Sequence, residues 1–414
     1  MSEADIVLDP YSIPLDGAFN VAQPQLFQAD AHWPYFERLR KEAPVHLCEE
    51  SEFGPYWSVT KYKDIMQVDT SHDLFSSEGG IVISEQDEEF TMSMFIAMDP
   101  PKHDEQRKIV SPVVAPLNLQ KLENTIRERA AGLLDELPLE EEINWVDRIS
   151  IELTTQMLAT LFDFPFEERR RLTRWSDVAT ANEDSGVIDS EEQRRAELLE
   201  CLGVFTELFK QRQEHPGNND LITMLAHGDS TKDLLDRPME YLGNLILLIV
   251  GGNDTTRNSI TGGVLALNQF PGEYDKLRAD HSLITGMVPE IVRWQTPLAH
   301  MRRRALQDTE LGGQKIKAGD KVVMWYVSGN RDEEVIDSPN NLIINRQRPR
   351  QHVAFGFGIH RCMGNRLAEM QLRIVWEEIM KRFDNIEVVG EPKRIYSTFV
   401  KGYSELPVVL HGKR

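Results

Sequence analysis

A glycine-rich stretch near the C-terminus contains the side chain with the strongest metal chemistry in the sequence. Residues 355–364 are Phe-Gly-Phe-Gly-Ile-His-Arg-Cys-Met-Gly, and the cysteine is Cys362. A thiolate is a strong iron ligand, and the glycines allow backbone angles that let a flat cofactor approach the main chain. A helix predicted to begin at Asn365 should favour the thiolate form of Cys362 through its dipole. The alternative is that Cys362 is a small buried apolar residue, which is the commoner role of a single cysteine.

A second unusual stretch interrupts a long predicted helix. Residues 245–250 are apolar all round, which predicts burial, and Gly251 and Gly252 follow them directly. A glycine inside a helix costs about 1 kcal/mol relative to alanine, so two in a row indicate a ligand lying against the helix. The carboxylate of Asp254 and the hydroxyl of Thr255 come next, and the threonine could bond the carbonyl four residues earlier. The alternative is a helix crossing with a solvated Asp-Thr-Thr edge.

Together these stretches resemble two signatures of the cytochrome P-450 family. The residues that match the haem-ligand pattern, Phe-x-x-Gly-x-x-x-Cys-x-Gly with its longer bacterial form, are Phe355, Gly356, Gly358, His360, Cys362 and Gly364. Residues 251–256 resemble the oxygen-activation groove, Ala/Gly-Gly-x-Asp/Glu-Thr-Thr. The resemblance implies haem b as the cofactor and Cys362 as its iron ligand. It also implies that Phe355 and Gly364 are among the residues that contact the haem.

The resemblance assigns Asp254 and Thr255 to the acid–alcohol pair of oxygen activation. Activating dioxygen consumes protons. A hydroxyl beside the iron can hold the water that delivers them, while a nearby carboxylate relays them from solvent. The axial thiolate of Cys362 would donate electron density to the iron. The resemblance therefore implies a monooxygenase that uses O2.

Two haem propionates need cationic or hydrogen-bonding partners when they are buried. The resemblance assigns this role to His103 and Arg107, which share one helix face four residues apart, and to Arg303 and His360. For His103 and Arg107 the alternative is a solvated helix face. Arginines also flank Arg303 on both sides, so the choice among the three rests on the resemblance alone.

Glu290 and Arg293 form a Glu-x-x-Arg pair in a helix predicted to start near Pro289. Alone, such a pair is common on exposed helices and contributes about 0.2–0.5 kcal/mol. With the other motifs present, the pair resembles the structural ion network of the family, which Arg346 would complete. That network would hold the segment that leads to Cys362.

A local basic region surrounds the proposed thiolate loop. Residues 338–368 contain no Asp or Glu, in a chain whose formal net charge is −21. The arginines of this region are Arg346, Arg348, Arg350, Arg361 and Arg366. Because electrostatic steering depends on local potential, we interpret the region as a docking surface for an acidic ferredoxin that an NAD(P)H-dependent reductase reduces. The alternative is that some of these arginines bind haem or internal carboxylates.

Charge and cysteine usage exclude several other classes of protein. The net charge of −21 argues against nucleic acid or an anionic membrane as the main partner. The 3 cysteines are widely spaced, which excludes a disulfide framework and a c-type haem attachment site and indicates a reducing compartment. Residues 1–15 lack the features of a signal peptide, and no apolar run approaches the ~20 residues of a membrane span. We therefore expect a cytoplasmic protein without a membrane anchor.

The patterning predicts a mainly α protein with small peripheral β-sheets, forming one domain over residues 1–414. Helices are expected at 34–41, with Phe36 and Leu39 facing inward, through much of 100–212, and at 239–269. Strands are expected at 45–47, at 56–59 and within 311–327, where the last covers 322–327. Residues 79–95 should be an irregular, mobile loop. The resemblance implies the P-450 fold, with haem between the long central helix and the Cys362 loop.

The order Gly-Gly-Asn-Asp-Thr-Thr-Arg-Asn-Ser at 251–259 resembles the terminal alkane and fatty-acid hydroxylases of the family. It implies terminal (omega) hydroxylation of medium-chain alkanes or fatty acids. Sterol side-chain and branched-lipid hydroxylases are the alternative, although they usually have Glu at the position of Asp254. A peroxygenase would typically lack the Asp254–Thr255 pair. A non-catalytic haem binder would need neither a proton relay nor a docking surface.

The predicted substrate pocket is apolar with few polar groups, so it would hold a hydrocarbon by burial. Its residues come from the long helix, the segment after the Glu-x-x-Arg helix, the C-terminal region and the irregular loop. They are Val250, Gly251, Leu298, Ala299, Phe399, Val400, Ile83, Met94 and Phe95.

Overall fold

The structure is a computed structural model that describes residues 9–412. The prediction of no signal peptide rests on residues 1–15. Residues 1–8 of that segment lie outside the described range. Helices make up 53% of the structure, so the predicted fold class, mainly α with small sheets, is confirmed. No helix within residues 9–412 is both long and apolar enough to cross a bilayer. The assignment of the whole chain to one domain stays a prediction.

The helices are numbered here in chain order. They are α1 Pro24–Gln28, α2 Trp33–Glu42, α3 Tyr62–Thr70, α4 Lys102–Val110, α5 Pro116–Asp135, α6 Glu152–Phe162, α7 Arg170–Thr180, α8 Glu191–Glu214, α9 Leu221–His227, α10 Pro238–Gln269, α11 Pro271–Ala279, α12 Ile284–Gln295, α13 Tyr326–Gly329 and α14 Asn365–Arg382. A π-helical segment, Val146–Ile151, leads into α6.

The strands are short. They are β1 Val45–Cys48, β2 Tyr56–Val59, β3 Phe75–Ser76, β4 Glu142–Asn144, β5 Met301–Ala305, β6 Thr309–Leu311, β7 Gln314–Ile316, β8 Lys321–Met324, β9 Asn385–Val388, β10 Lys393–Arg394, β11 Tyr403–Glu405 and β12 Pro407–His411. The largest sheet has the strand order β1-β2-β8-β5-β3, and β2 and β8 are parallel in it. A second sheet has the order β4-β12-β9, and β6-β7 and β10-β11 are separate pairs.

The long helix α10 lies at the centre of the helical part. It packs against α6, α7, α12 and α14, and α14 packs in turn against α5 and α12. Leu245, Ile246 and Ile249 are buried, whereas Leu247, Leu248 and Val250 are half-buried, so the predicted all-round burial holds for only part of the run. Both α10 and α14 contribute to the largest apolar cluster. The helices that carry the two functional stretches are therefore held in one core.

Several predicted elements are confirmed to within a few residues. Helix α2 covers residues 34–41, and Phe36 and Leu39 are both 0% exposed. Helix α10 begins one residue before the predicted start and ends at the predicted residue. Strands β1 and β2 pair in antiparallel fashion, with Val45 opposite Val59.

The strand predicted at 322–327 is wrong at its C-terminal end. β8 ends at Met324, and the chain turns into the short helix α13. Trp325 still donates its N–H to Val59 in the neighbouring strand, but the N–H groups of Ser328 and Gly329 bond back to the carbonyl of Trp325. A short apolar run is equally consistent with a buried strand and a buried helical turn, so periodicity could not separate them.

The predicted start of the Glu-x-x-Arg helix near Pro289 is also wrong. α12 begins at Ile284, and Pro289 lies inside it. A proline in a helix removes one hydrogen bond, here to the carbonyl of Thr285. Burial of Met287 and Ile291 on either side of Pro289, both 0% exposed, offsets that loss.

Residues 79–95 are irregular, as predicted. They contain two short 3₁₀ turns, one at Glu88–Phe90 and one that begins at the end of the segment, Phe95–Ala97. The guanidinium of Arg302 donates to three carbonyls in the first half of the segment and so fixes it to β5. Its mobility stays a prediction.

Candidate active site

Cys362 lies in a loop that its own backbone closes. The N–H of Cys362 donates to the carbonyl of Phe355 over 2.8 Å, and a 3₁₀ turn, Gly358–His360, lies between them. Helix α14 begins shortly afterwards, with Gly364 as its N-cap. The side chain of Cys362 is accessible, whereas those of the other two cysteines of the chain are buried. The loop therefore presents this thiol to a ligand.

The thiol of Cys362 is accessible from one side and enclosed by protein on the others. Burial raises its pKa above the usual value, and the backbone N–H groups of Gly364 and Asn365 and the charges of Arg107 and Arg361 oppose the shift without reversing it. Desolvation of the anion thus opposes the stabilisation that the start of α14 offers a thiolate, and the expectation of a thiolate at Cys362 stays a prediction. A bound metal cation deprotonates a coordinating thiol, so iron would supply the missing stabilisation.

The glycines of the loop have two different roles. Gly356 and Gly358 have φ angles of 61° and 67°, which L residues rarely adopt. A Cβ on Gly358 would lie 2.2 Å from the carbonyl oxygen of Asp69. A Cβ on Gly364 would meet nothing within 4 Å. The absence of a side chain at Gly358 therefore lets α3 pack against the loop. Gly364 is the glycine that faces open space, where a flat cofactor would fit.

Asp69, at the C-terminal end of α3, was not predicted from the sequence. Its Oδ2 accepts hydrogen bonds from the N–H of Phe357 and the hydroxyl of Tyr326, both over 2.8 Å, and its Oδ1 accepts from Arg303 over 2.9 Å. Asp69 is 2% exposed, and burial raises its pKa, while Arg303 is the strongest opposing influence. A signal existed, because Asp69 lies four residues after Ile65 on the apolar face of α3.

Helix α10 presents Gly251 and Thr255 on the same face, four residues apart. A Cβ on Gly251 would meet nothing within 4 Å, whereas one on Gly252 would lie 2.7 Å from Leu158. The hydroxyl of Thr255 donates to the carbonyl of Gly251 over 2.9 Å, as the sequence suggested. One glycine therefore opens a concave surface, and the other permits close packing with α6.

Asp254 points away from this open face. It is fully buried, so the alternative of a solvated Asp-Thr-Thr edge is wrong. Its Oδ1 lies 3.0 Å from Arg257, which also pairs with Asp177 over 2.7 Å, and its Oδ2 accepts from Thr180 over 3.5 Å. Burial raises the pKa of Asp254 to about 6, and Arg257 opposes the shift. A carboxyl with a pKa near neutrality is suited to carrying protons. Sequence reasoning missed Asp177 and Arg257.

The residues assigned to the propionates lie together. The rings of His103 and His360 are 4.3 Å apart. Nε2 of His103 and both ring nitrogens of His360 are buried and have no hydrogen-bond partner among residues 9–412. Burial lowers the pKa of His360 to about 2, and Arg303 is the strongest charge acting on it. Arg107 also reaches this loop, where it donates to the carbonyl of Arg361. Because buried polar atoms normally have partners, these unpaired nitrogens beside two arginines fit the carboxylates of a haem.

The three consecutive arginines of β5 point in alternate directions. Arg302 and Arg304 both reach Glu85 on one face of the strand, whereas Arg303 turns to Asp69 on the other. Side chains alternate along a strand, so the middle arginine alone reaches the side where His360 lies. This placement supports the choice of Arg303.

Glu290, Arg293 and Arg346 form one network. Arg293 donates to both carboxylate oxygens of Glu290 over 2.7 Å, and Nε of Arg346 donates to Glu290 over 3.0 Å. Arg293 also donates to the carbonyls of Asn330 and Pro339. Glu290 and Arg293 are both 0% exposed, which rules out the alternative of a common exposed pair. The network holds the segment between α13 and the Cys362 loop.

Two groups of the predicted pocket residues are joined through the backbone. The N–H of Ala299 donates to the carbonyl of Phe399 over 2.8 Å, and Leu298 forms an isolated bridge with Val400. Ile83 belongs to the same apolar cluster as Ala299. These residues therefore lie close to one another.

The remaining pocket residues belong to α10 and the end of the irregular segment. The N–H of Phe95 donates to Asn244 of α10 over 2.9 Å, which fixes Phe95 and the preceding Met94 beside the long helix. Phe95 and Val250 both contribute to the largest apolar cluster, and Gly251 faces open space. These residues therefore lie on or beside α10, and the lining of one pocket by all nine residues stays a prediction.

The basic region is smaller than the sequence indicated. Arg346 is part of the buried network, and Arg350 pairs with Glu369 over 2.9 Å. The alternative of internal carboxylate partners therefore holds for Arg346. The arginines of the region that are exposed and have no carboxylate within ion-pair distance in residues 9–412 are Arg348, Arg361 and Arg366.

The helical fold, the accessible thiol before α14 and the polar cluster beside it together define a haem-thiolate protein. The family model described as Cytochrome P450 matches residues 191–406, which is more than half of the chain. The chain belongs to the cytochrome P450 family. Proteins of this family bind haem b, and the residues described above fit that group.

Curated relatives cover almost the whole chain. Linalool 8-monooxygenase of Pseudomonas putida is 38% identical over 405 residues, which are 94% of this chain and 98% of the relative. Steroid C26-monooxygenase of Mycolicibacterium smegmatis is 33% identical, covering 88% and 87%. Methyl-branched lipid omega-hydroxylase of Mycobacterium bovis is 31% identical, covering 90% of each. These relatives are oxygenases by name, and this chain is a P450 monooxygenase.

A solved structure agrees with the fold. Cytochrome P450-153 from Novosphingobium aromaticivorans superposes with a TM-score of 0.90 at 44% sequence identity, covering 95% of this chain and 100% of that one. The family assignment made from the Cys362 loop and the Asp254–Thr255 segment is confirmed.

We expect Cys362→Ala to abolish the thiolate-type spectrum of the reduced carbon monoxide complex, because no other accessible thiol is offered by the described chain. Cys48→Ala and Cys201→Ala serve as matched controls and should keep the spectrum, since both thiols are buried away from ligands. A thiolate-type spectrum in the Cys362→Ala variant would contradict the assignment.

Asp69→Asn should weaken the attachment of the Cys362 loop, because it leaves the buried Arg303 without its carboxylate. Removing one partner of a buried pair typically costs about 3–5 kcal/mol. The free energy of unfolding and the ratio of thiolate-type to thiol-type carbon monoxide spectra should both fall. Asp64→Asn, a partly buried carboxylate of the same helix, is the control. Equal spectra in both variants would show that Asp69 does not position the loop.

Proposed function

We propose that this enzyme inserts one oxygen atom of O2 into a terminal C–H bond of a medium-chain alkane or fatty acid. The other oxygen atom leaves as water, and the reaction consumes two electrons and two protons. The single observation that carries the proposal is the open face of α10. On that face Gly251 leaves open space beside the helix, and Thr255 offers one hydroxyl.

Each polar residue of the site has a separate task in this proposal. When bound, the haem supplies the iron chemistry that activates O2. Cys362 would hold the iron, and His103, Arg107, Arg303 and His360 would hold the propionates. Contacts to both the metal and the carboxylates would fix the position of the cofactor.

Protons reach the site through residues on either side of α10. Asp177 is partly exposed and shares Arg257 with the buried Asp254. Asp254 takes up a proton from this side, and Thr255 holds the water that delivers it on the open face. Because the two side chains point to different sides of the helix, Asp254 has to rotate during each transfer.

The substrate class follows from the scarcity of polar groups among the pocket residues. Burial contributes about 0.8 kcal/mol per methylene, so affinity should rise with chain length until the pocket is full. Internal C–H bonds are weaker than those of a terminal methyl group. Terminal attack therefore requires a narrow channel that admits only the chain end. The name of the methyl-branched lipid omega-hydroxylase, which is 31% identical, supports the same position of attack.

The second candidate is a sterol side-chain or branched-lipid hydroxylase. The 33% identity with a steroid C26-monooxygenase favours it. The carboxylate at position 254 is Asp rather than Glu, which favours the first candidate. The presence of both Asp254 and Thr255 argues against a peroxygenase, and the relatives named as monooxygenases argue against a non-catalytic haem binder.

Electrons are proposed to come from a reduced ferredoxin, itself reduced by an NAD(P)H-dependent reductase. The supporting observation is that Arg348, Arg361 and Arg366 are exposed around the Cys362 loop in a chain of net charge −21. An acidic partner would be steered to such a local positive potential. The free thiols of Cys48 and Cys201 support a reducing compartment, and we place the enzyme in the cytoplasm.

Thr255→Ala should still consume NADH but release much of the reducing power as peroxide, because the water that delivers protons loses its hydroxyl partner. Asp254→Asn should slow turnover by up to about 10²–10⁴-fold. If protonated Asp254 is the donor, wild-type kcat should fall as pH rises through about 6, and this step should vanish in Asp254→Asn. Thr256→Ala is the control, since Thr256 is buried. Full product yield per NADH in Thr255→Ala would remove this hydroxyl from the mechanism.

Gas chromatography of the products from octane and dodecanoic acid tests the proposed function. With O2, NADH and a surrogate ferredoxin system, the main products should be the terminal alcohols. Hydrogen peroxide in place of the electron supply should give little product. Chiefly subterminal alcohols, or turnover of sterols alone, would refute terminal hydroxylation.

A further inference from the structure

One cavity of the structure is lined by none of the predicted haem or substrate residues, although α10 and the C-terminal segment carry some of those residues elsewhere. Its volume is about 300 Å³. It lies where α2, the end of α10, the end of α12, the segment after α13 and the C-terminal segment meet. At about 30 Å³ per water molecule, the volume is large enough for a small organic molecule.

Two buried cations line this cavity, and neither has a carboxylate within 4.0 Å in the part of the chain that the structure describes. Arg331 is 4% exposed and Lys401 is 7% exposed. Arg331 donates to the carbonyls of Pro339 and Trp294, and Lys401 donates to the carbonyl of Gln295. These bonds use two of the five N–H donors of an arginine and one of the three of a lysine. Most of the donor capacity of both side chains is therefore free.

Two acids, Asp30 and Glu37, also line the cavity, and each has another cation as its ion-pair partner. Asp30 attracts Lys401 and Arg331 from beyond ion-pair distance but is paired with Arg394 over 3.0 Å, and Glu37 is paired with Lys41. Arg40 is paired with Glu333 over 3.2 Å. Burial lowers the pKa of Lys401 to about 7 and that of Arg331 to about 9. Repulsion from neighbouring arginines acts in the same direction on both groups. A local excess of positive charge is unusual in a chain of net charge −21.

Two indole rings complete the wall. The guanidinium carbon of Arg331 lies 4.6 Å from the ring centre of Trp33, and Nζ of Lys401 lies 5.3 Å from it. Both cations also lie within 6 Å of Trp294, at 5.4 and 5.8 Å. Such contacts offset part of the burial of a cation but leave its hydrogen-bond donors unused. Nε1 of Trp294 is a further buried donor without a partner in residues 9–412.

We propose that this cavity is a binding site for a small organic anion. Its carboxylate or phosphate group would accept hydrogen bonds from Arg331 and Lys401, and its apolar part would contact the indole rings of Trp33 and Trp294. Anions of this kind are recognised by charge-assisted hydrogen bonds in partly apolar pockets. The proposal does not depend on which substrate the haem site oxidises.

The site is connected to the structure that supports the thiolate loop. The carbonyl of Pro339 accepts from both Arg331 and Arg293 of the Glu290 network. Lys401 directly follows Val400, which bridges Leu298. A bound anion should therefore raise the thermal stability of the holoenzyme.

Isothermal titration calorimetry on the holoenzyme tests the proposal, with inorganic phosphate, phenyl phosphate and benzoate as separate probes. The Soret band is recorded in the same titrations, because a probe that enters the haem site shifts it and a probe in this cavity does not. At least one probe should bind with an unchanged Soret band and raise the melting temperature. Phosphate against benzoate shows whether the preferred group is a phosphate or a carboxylate.

Lys401→Met should weaken binding by about tenfold or more, since it removes a charge-assisted donor while keeping the length of the side chain. Lys401→Arg should retain binding. The matched control is Lys393→Met, which removes the same charge from an exposed position on β10 outside the cavity. Should Lys401→Met fail to fold, Trp294→Phe keeps both cations, removes the indole donor and should still weaken binding.

Three results would overturn the proposal. The first is the absence of binding by every probe. The second is binding that always shifts the Soret band. The third is an equal loss of affinity in Lys401→Met and Lys393→Met, which would reflect net charge rather than this cavity.

Discussion

The geometry of the thiolate loop depends on one buried carboxylate. Asp69 receives hydrogen bonds from the loop, from β5 through Arg303 and from α13 through Tyr326. An isolated buried carboxylate would cost several kcal/mol, and these three donors make its burial acceptable. The loop can approach the end of α3 this closely because Gly358 has no Cβ. A Cβ there would lie 2.2 Å from the carbonyl oxygen of Asp69. The glycines of the motif and the acid of α3 are therefore parts of one arrangement.

Buried ions shared between several partners recur around the site. Glu290 is shared by Arg293 and Arg346, and Arg257 is shared by Asp254 and Asp177. In each case one ion joins separate segments of the chain, so the interaction fixes their relative position. Buried pairs are weak evidence for net stability, because desolvation offsets most of the attraction. Their value here is geometric, since iron and proton chemistry tolerate little displacement of the groups involved.

The sequence was sufficient for the features that depend on local pattern. The run before Gly251 predicted a buried helix, and the spacing around Cys362 identified the family. It failed where tertiary context decides. Trp325 and its neighbours form a helical turn rather than a strand, and Pro289 lies inside α12 rather than at its start. Asp69 and Asp177 were missed because nothing in their own neighbourhoods shows which distant side chains they meet.

The middle of α10 serves two environments at once. On one face Gly251 and Thr255 border open space, and on the other Asp254 is buried against α7. The side chains of Thr255, Asn258 and Ser259 each donate to the carbonyl four residues earlier. Such bonds compete with the helical ladder and allow it to bend or open.

In the structure α10 nevertheless stays helical through this segment, from Pro238 to Gln269. In the proposed relay, a proton moving from Asp254 to the face of Thr255 would pass this segment, because the two side chains point in different directions. Arg257 also pairs with Asp177, so its charge would stay compensated if Asp254 turned away. The small and polar residues after the apolar run are thus the place where the proposed relay would cross α10, whereas Asp69 fixes the position of the loop that carries Cys362.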